Sequence, residues 1–328
     1  MRKEKKVGLA LGSGSARGCA HIGVIKALEE AGVRVDCVAG TSIGALVGAI
    51  YALGDLDALE AFFLALDKRK FFSYFDFVLP RQGLLDGERL YEVISARVAH
   101  TQLEAARMPF CAVACDLMTG EQVLLRSGDV VEAVRASISL PGILTPVRVD
   151  GTYLVDGGLV NPVPVDVVRE MGADVVIAVD LNHDLLMGRV NGRSPERGED
   201  HEEAPSPPVP SRILAERLRP GSAGQRILQA LEQRYQDLSL AMRQRVNRWT
   251  SATETEPSIF DVISTSIAIM SKRITEANLL IHPAEVLVQP ALGHLGMFDF
   301  DHAAEAIEEG YRRMSEALPV LQRLLDEE

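Results

Sequence analysis

Gly40-Thr41-Ser42-Ile43-Gly44 sets a serine between glycines two positions away on either side. A serine hydroxyl is a poor nucleophile until a base takes its proton. The pattern suits a sharp turn from a strand into a helix, on which Oγ projects and helix amides stand behind it. Five residues with three fixed also recur by chance, and the plainer reading of Ser42 is a helix N-cap after a glycine turn. A second candidate is Gly12-Ser13-Gly14-Ser15-Ala16-Arg17-Gly18, whose small residues leave backbone N–H groups free to face an anion. Such a loop cradles a phosphate or forms an oxyanion hole, where one donor is typically worth ~3 kcal/mol. It fits a dinucleotide fingerprint poorly, because Arg17 fills the third glycine position and Asp36 stands near the beginning of the second strand instead of its end. Arg17 either braces the loop or attracts a phosphate. A third candidate, Asp156-Gly157-Gly158, follows an apolar strand and precedes the turn-forming Asn161-Pro162-Val163-Pro164. Its spacing alone favours an ordinary Asp-Gly turn.

Other reactive side chains carry less. His282, His294 or His302 formally completes a Ser-acid-His order, but the serine of such a triad lies after several strands, whereas Ser42 follows only the second. His21 reads as a structural hydrogen-bonder. Nothing adjacent in sequence activates Cys19 as a nucleophile. Asp116 reads as a turn residue and Asp180 as a loop cap at a strand end.

The elements that must hold these residues follow from apolar periodicity. Val7 to Leu11 reads as a strand, Ala16 to Ala31 as a helix closed by Gly32, Val33 to Ala39 as a second strand, and Ile43 to Leu53 as a helix ended by Gly54. This βαβα opening predicts a parallel sheet. Further strands are expected at Phe110 to Ala114, Gln122 to Leu125, Val147 to Val149, Tyr153 to Val155, Val175 to Val179 and Glu285 to Gln289, with Asp150-Gly151 as a hairpin turn. Helices are expected around Ile259 to Asn278 and His302 to Leu325.

Composition bounds the rest. An apolar content of 47 % supports a large core, and 5 % aromatics with abundant Ala, Val, Ile and Leu suits helices packed on a buried sheet. The net charge of −12 argues against nucleic acid as a partner. Cys19, Cys37, Cys111 and Cys115 show no metal-ligand spacing and read as reduced thiols. The basic start lacks a cleavage site, and no apolar run reaches the ~20 residues that span a bilayer, so the expectation is a soluble, cytoplasmic protein. Between 188 and 255 the chain changes character, first acidic and Pro-rich, then basic and amphipathic. Arg212 to Trp249 holds eight arginines against Glu216, Glu232 and Asp237. That stretch either packs on the core or lies on an anionic membrane surface, peripheral to the inner membrane face.

Taken together, the blocks resemble the patatin-like phospholipase family, and specifically its bacterial branch, which is also similar to the catalytic domain of neuropathy target esterase. The resemblance rests on Gly12 to Gly18 with its Arg-Gly, on Gly-x-Ser-x-Gly at Ser42, on Ala136-Ser137-Ile138-Ser139-Leu140-Pro141, and on Asp156-Gly157-Gly158. It runs from about Val7 to Leu181 and resumes through Val286 to Tyr311. Ser13 and Ser15 stand where many members have glycine, and both fit a tight loop. The resemblance implies a three-layer α/β/α fold with a mostly parallel central sheet, in one domain over residues 1–328. It implies hydrolysis of acyl lipid esters with Ser42 as nucleophile and Asp156 as base, without metal or cofactor. Gly40 and Gly44 then shape the elbow, Gly157 and Gly158 the acid block, and amides from Gly12, Ser13, Gly14, Ser15, Ala16, Arg17 and Gly18 the oxyanion hole. A carboxylate serves as such a base where partial desolvation favours its protonated form. The alternative class is a non-catalytic nucleotide-binding or regulatory protein on the same scaffold.

Overall fold

The computed structural model describes residues 5–66, 76–77, 85–86, 101–184 and 259–327. The chain divides into two units, residues 1–194 with 266–328 and residues 195–265. The sheet, the helix residues packed on it and the candidate site belong to the first. The excursion expected over 188–255, with Arg212 to Trp249, lies outside the described residues.

Among the described residues, eight strands form one sheet: β1 (Val7–Leu11), β2 (Cys37–Thr41), β3 (Phe110–Asp116), β4 (Gln122–Leu125), β5 (Val147–Val149), β6 (Thr152–Asp156), β7 (Val175–Val179) and β8 (Val286–Val288). The order β8-β7-β1-β2-β3 is parallel throughout. β4 and β6 then pair antiparallel with β3, and β5 antiparallel with β6. Strands such as β1 and β7 are buried along their whole length, which is why they read as unbroken apolar runs.

Helices cover both faces of this mixed sheet. On one, Ala10, Cys37, Ala39, Cys111, Val113, Val176 and Ala178 pack against Val165, Val167 and Val168 of α5 (Val165–Glu170) and Leu279 of α6 (Ile259–Ile281). On the other lie α1 (Ala20–Glu30), α2 (Ile43–Leu53), α4 (Val130–Ser137) and α7 (Ala303–Asp326), while the short α3 (Leu56–Leu64) follows α2. Small residues let α2 lie close on the sheet, and Gly54 ends it in the left-handed conformation with its N–H on the Ile50 and Tyr51 carbonyls. α4 packs Ala136 on Ala114 and Leu154.

Two elements near the start of the chain are bounded differently from the sequence reading. The first helix opens as a 3₁₀ turn, Ser15–Cys19, and becomes α-helical only at Ala20, because the Arg17 amide bonds the Gly14 carbonyl three residues back at 3.3 Å. The second strand begins at Cys37 and runs through Gly40 to Thr41. Asp36 clasps Val7 through its own amide (2.7 Å) and Oδ2 (2.8 Å), so the ladder starts only after it. Asp150-Gly151 makes the expected hairpin turn, with φ of 47° and 89°. Helices α3, α4 and α5 were not expected from the sequence. Asp129, whose Oδ1 caps the amides of Val131 and Glu132, is the signal that marks α4.

α1 and α7 cross at backbone contact. A Cβ on Gly23 would stand 1.9 Å from the Ile307 carbonyl oxygen, and one on Gly310 2.0 Å from that of Ala20. Neither helix has a flexible side chain there to give way, so Gly23→Ala and Gly310→Ala must push the helices apart. Each is expected to cost roughly 1–3 kcal/mol, seen as a lower urea midpoint at unchanged slope. Midpoints equal to that of the unaltered protein would contradict the close crossing.

Candidate active site

The register of β3 brings two distant residues together. β4 pairs with β3 from Ala112 to Cys115. β2 pairs up to Val113, and β6 pairs from Ala114 onward, so both overlap β4 and must lie on the other edge of β3. They run in opposite directions along that edge and meet end to end: Thr41 faces Val113, and Asp156 faces Ala114. The residue after Thr41 is Ser42, and Asp156 closes β6.

At Ser42 the chain turns sharply from β2 into α2, with φ 57° and ψ −122°. A non-glycine residue in that region costs on the order of 1–3 kcal/mol and persists only where its surroundings hold it. The glycines on either side are needed for contact. A Cβ on Gly40 would stand 2.2 Å from the Gly44 carbonyl oxygen, and one on Gly44 2.2 Å from that of Leu11. The turn aims the side chain at the strand opposite, and Ser42 Oγ donates to Asp156 Oδ2 at 2.5 Å. The other carboxylate oxygen, Oδ1, accepts from the Gly158 amide at 2.7 Å. Asp156 is buried, and burial pushes its pKa from the ordinary 3.8 up to about 6, against the opposing pull of the bonds from Ser42 and Gly158. The arrangement is a half-buried hydroxyl bonded to a carboxylate that takes up a proton near neutrality.

The glycine-rich loop passes between these parts. Gly44 packs on the Leu11 and Gly12 carbonyls, and a Cβ on Gly158 would stand 3.4 Å from the Ser13 side chain. The loop offers fewer donors than the sequence reading expected. The amides of Gly12, Ser13, Ala16 and Arg17 are committed to the carbonyls of Val179 (3.1 Å), Pro162 (2.8 Å), Met297 (3.2 Å) and Gly14 (3.3 Å). Gly18 lies inside the 3₁₀ turn against Ile43. That leaves Gly14 and Ser15, whose amides have no backbone or side-chain acceptor among the described residues. Directly after Ser42, the amides of Ile43 and Gly44 precede the first backbone bonds of α2, which Ala45 and Leu46 make to the Ser42 carbonyl.

Buried polar groups brace the loop from behind. Arg17 Nε donates to the Gly14 carbonyl at 3.1 Å and Nη2 to Asn182 Oδ1 at 3.4 Å, so Arg17 acts as a brace. His21 is fully buried with its pKa lowered to about 4, and its neutral ring donates Nε2–H to the Gly12 carbonyl at 2.7 Å. Asn182 Nδ2 holds the Ser13 carbonyl and hydroxyl at 3.1 Å each, and Asp180 Oδ1 accepts the Asn182 amide at 2.9 Å. Asn182 was missed in the sequence, where its one signal is a polar residue three positions past a strand end.

Asp116 Oδ1 closes its own turn through the amides of Met118 and Thr119. Burial raises the Cys19 thiol to about 12, which leaves it inert. His294 and His302 both bond Glu305 through exposed side chains, whereas the carboxylate of Asp156 is bonded by Ser42 and the Gly158 amide. Among the described residues no group of three or more His, Cys, Asp and Glu side chains is placed to hold a metal ion.

A family model described as patatin-like phospholipase matches residues 9–169. Similar chains include an NTE family protein of Mycobacterium tuberculosis, 41 % identical over 177 residues that cover 54 % of this chain and 49 % of that one. A second NTE family protein of the same species is 38 % identical over 195 residues, 58 % of this chain and 33 % of its own. Patatin-like phospholipase domain-containing protein 6 of Mus musculus is 38 % identical over 182 residues, 53 % of this chain and 13 % of its own. The matched part thus spans about half the length of the first relative and less of the others.

The raised pKa of Asp156 links the site to stability. Below the ordinary 3.8 the carboxyl is protonated in both the folded and the unfolded chain. Between 3.8 and about 6 the unfolded chain ionises first, so stability falls as pH rises, and above about 6 the loss is complete. Asp156→Asn is therefore expected to be more stable than the unaltered protein at pH 8, by on the order of 2 kcal/mol, with the gap closing toward pH 4. Urea melts at the two pH values measure it, and a variant less stable at pH 8 would contradict the buried, raised carboxyl.

Proposed function

Given that residues 9–169 belong to the patatin-like phospholipase family, we propose that this chain is a serine acyl hydrolase cleaving ester bonds of lipids through Ser42 and Asp156. The observation that carries the reading is the 2.5 Å contact between Ser42 Oγ and Asp156 Oδ2, made to a carboxylate buried from water. In the proposed reaction Ser42 Oγ attacks the acyl carbonyl carbon while its proton passes to Asp156 Oδ2. The carbonyl oxygen becomes an oxyanion, held by the amides of Gly14 and Ser15 and by the start of α2. Asp156 then gives the proton to the departing alkoxide, and the C–O bond breaks to leave an acyl-serine. A water molecule, deprotonated by the same carboxylate, attacks this ester; Asp156 then returns that proton to Ser42 Oγ as the acyl C–Oγ bond breaks, releasing the fatty acid and restoring the free serine.

The donor count also weighs against a nucleotide-binding reading. Clasping a pyrophosphate at a glycine loop needs several successive free amides. Here those of Gly12 and Ser13 are spent on the Val179 and Pro162 carbonyls.

No helix among the described residues is long and apolar enough to cross a membrane. The proposed enzyme reaches its substrate from the cytoplasmic side as a peripheral protein. The basic stretch Arg212 to Trp249 supplies the contact to anionic lipid.

Replacing Ser42 by Ala is expected to abolish both p-nitrophenyl ester turnover and fluorophosphonate labelling, and Asp156→Asn to reduce both by at least a hundredfold. In the unaltered enzyme kcat/KM should rise with pH through about 6, as Asp156 ionises to its basic form. Labelling that persists in folded Ser42→Ala would end the reading. For the membrane contact, binding to phosphatidylglycerol vesicles should weaken at high salt and when Arg243, Arg245 and Arg248 are replaced together. Salt-insensitive binding would refute it.

A further inference from the structure

β2 and β6 meet end to end on β3, so the ladder is interrupted there and backbone groups at the junction need other partners. The last turn of α4 supplies them. Ser137 is the final residue of α4 and fully buried. Its hydroxyl accepts from the Ser42 amide at 2.9 Å and donates to the Val113 carbonyl at 2.6 Å. One oxygen thus stands between the amide of the strained elbow residue and the strand beside it. Two residues on, the Ser139 carbonyl accepts the Asp156 amide at 3.0 Å. The turn is itself held: Arg135 Nη1 donates to Ser139 Oγ at 2.7 Å, Ser139 Oγ donates to the Arg135 carbonyl at 2.7 Å, and Arg135 Nη2 donates to Thr145 Oγ1 at 3.1 Å.

We propose that Ser137 is a positioning residue for the reaction: its hydroxyl fixes the backbone of Ser42 while the same turn fixes that of Asp156, so α4 sets the distance across which the proton moves. The inference rests on the reading of Ser42 and Asp156 as a catalytic pair. A hydroxyl is required because it must accept from one backbone group and donate to another at the same time. Alanine supplies neither bond, and a thiol is a weak substitute for both.

Removing the bridge frees Ser42 to relax from φ 57° and moves Oγ off Asp156 Oδ2. Two consequences separate this from a loss of stability alone. Proton transfer needs the short contact whereas substrate binding does not, so kcat falls while KM holds. The bond from Ser42 also lowers the Asp156 pKa. Its loss therefore shifts the acid limb of the pH–rate profile upward.

The test uses Ser137→Ala, Ser137→Cys and Ser137→Thr in the full chain, beside Ser42→Ala. Each is assayed for ester turnover, fluorophosphonate labelling rate and pH profile, with circular dichroism as the check of folding. Ser137→Cys, close to isosteric, is expected to lose at least thirtyfold in kcat with KM within threefold and the acid limb moved up by half a pH unit or more. Ser137→Ala is expected to lose at least as much. Ser137→Thr, which keeps the hydroxyl, should recover most of the rate. If Ser137→Ala fails to fold, the cysteine and threonine pair still decides. Wild-type kcat and an unmoved limb in folded Ser137→Cys, with Ser42→Ala inactive, would overturn the positioning role and leave the proposed function standing. Activity retained in Ser42→Ala would instead overturn the proposed function itself.

Discussion

The structure turns on two strand ends sharing one edge of β3. A parallel strand arriving at Thr41 and an antiparallel strand ending at Asp156 face consecutive residues, Val113 and Ala114. This juxtaposition brings residues 114 positions apart into hydrogen-bonding contact. It also interrupts the ladder, and a buried backbone N–H or C=O without a partner costs about as much as a lost hydrogen bond. Much of the surrounding architecture answers that cost. The hydroxyl of Ser137 and the carbonyl of Ser139 take the amides of Ser42 and Asp156, and Gly157 lets the chain pass where a Cβ would stand 2.2 Å from the Val113 carbonyl oxygen.

The fold holds two unfavourable features at this junction. One is the left-handed backbone of Ser42, and the other is a carboxylate removed from water. Neither survives unless its neighbours prevent relaxation. The elbow is held by the close packing of Gly40 on Gly44 and of Gly44 on Leu11, together with the Ser137 hydroxyl on the Ser42 amide. The carboxylate cannot turn toward solvent, because both oxygens are engaged by donors on different segments. The cost in stability and the readiness for proton transfer have the same source, the exclusion of water from Asp156.

Local chemistry was legible in the sequence; long-range pairing was not. Glycine spacing around Ser42 announced the turn, and the alternation of apolar runs with glycines announced a parallel start. Asp156, by contrast, looks like any Asp-Gly turn until β6 is seen to run back along the edge already used by β2, a return that no local pattern encodes. The glycine-rich loop shows the same limit from the other side. The resemblance implies seven amides, from Gly12 to Gly18, yet four of them are spent on Val179, Pro162, Met297 and Gly14, three of these acceptors far away in sequence. α4 escaped notice although Asp129 and Glu132 mark its start, because its eight residues are too short for apolar periodicity to stand out.

The geometry around Asp156 bears on how a single carboxylate would act as both base and acid in the proposed reaction. Its two oxygens are not equivalent. Oδ1 faces the Gly158 N–H, a donor that favours a bare oxygen, whereas Oδ2 faces the Ser42 hydroxyl, which can donate or accept. In the proposed reaction a proton taken from Ser42 would therefore sit on Oδ2, the oxygen that faces the serine, and not on Oδ1, which faces a donor. A histidine achieves this separation by having two different nitrogens. Here one backbone amide distinguishes the two oxygens by bonding one of them, which is how the proposed pair would orient its base without a third member.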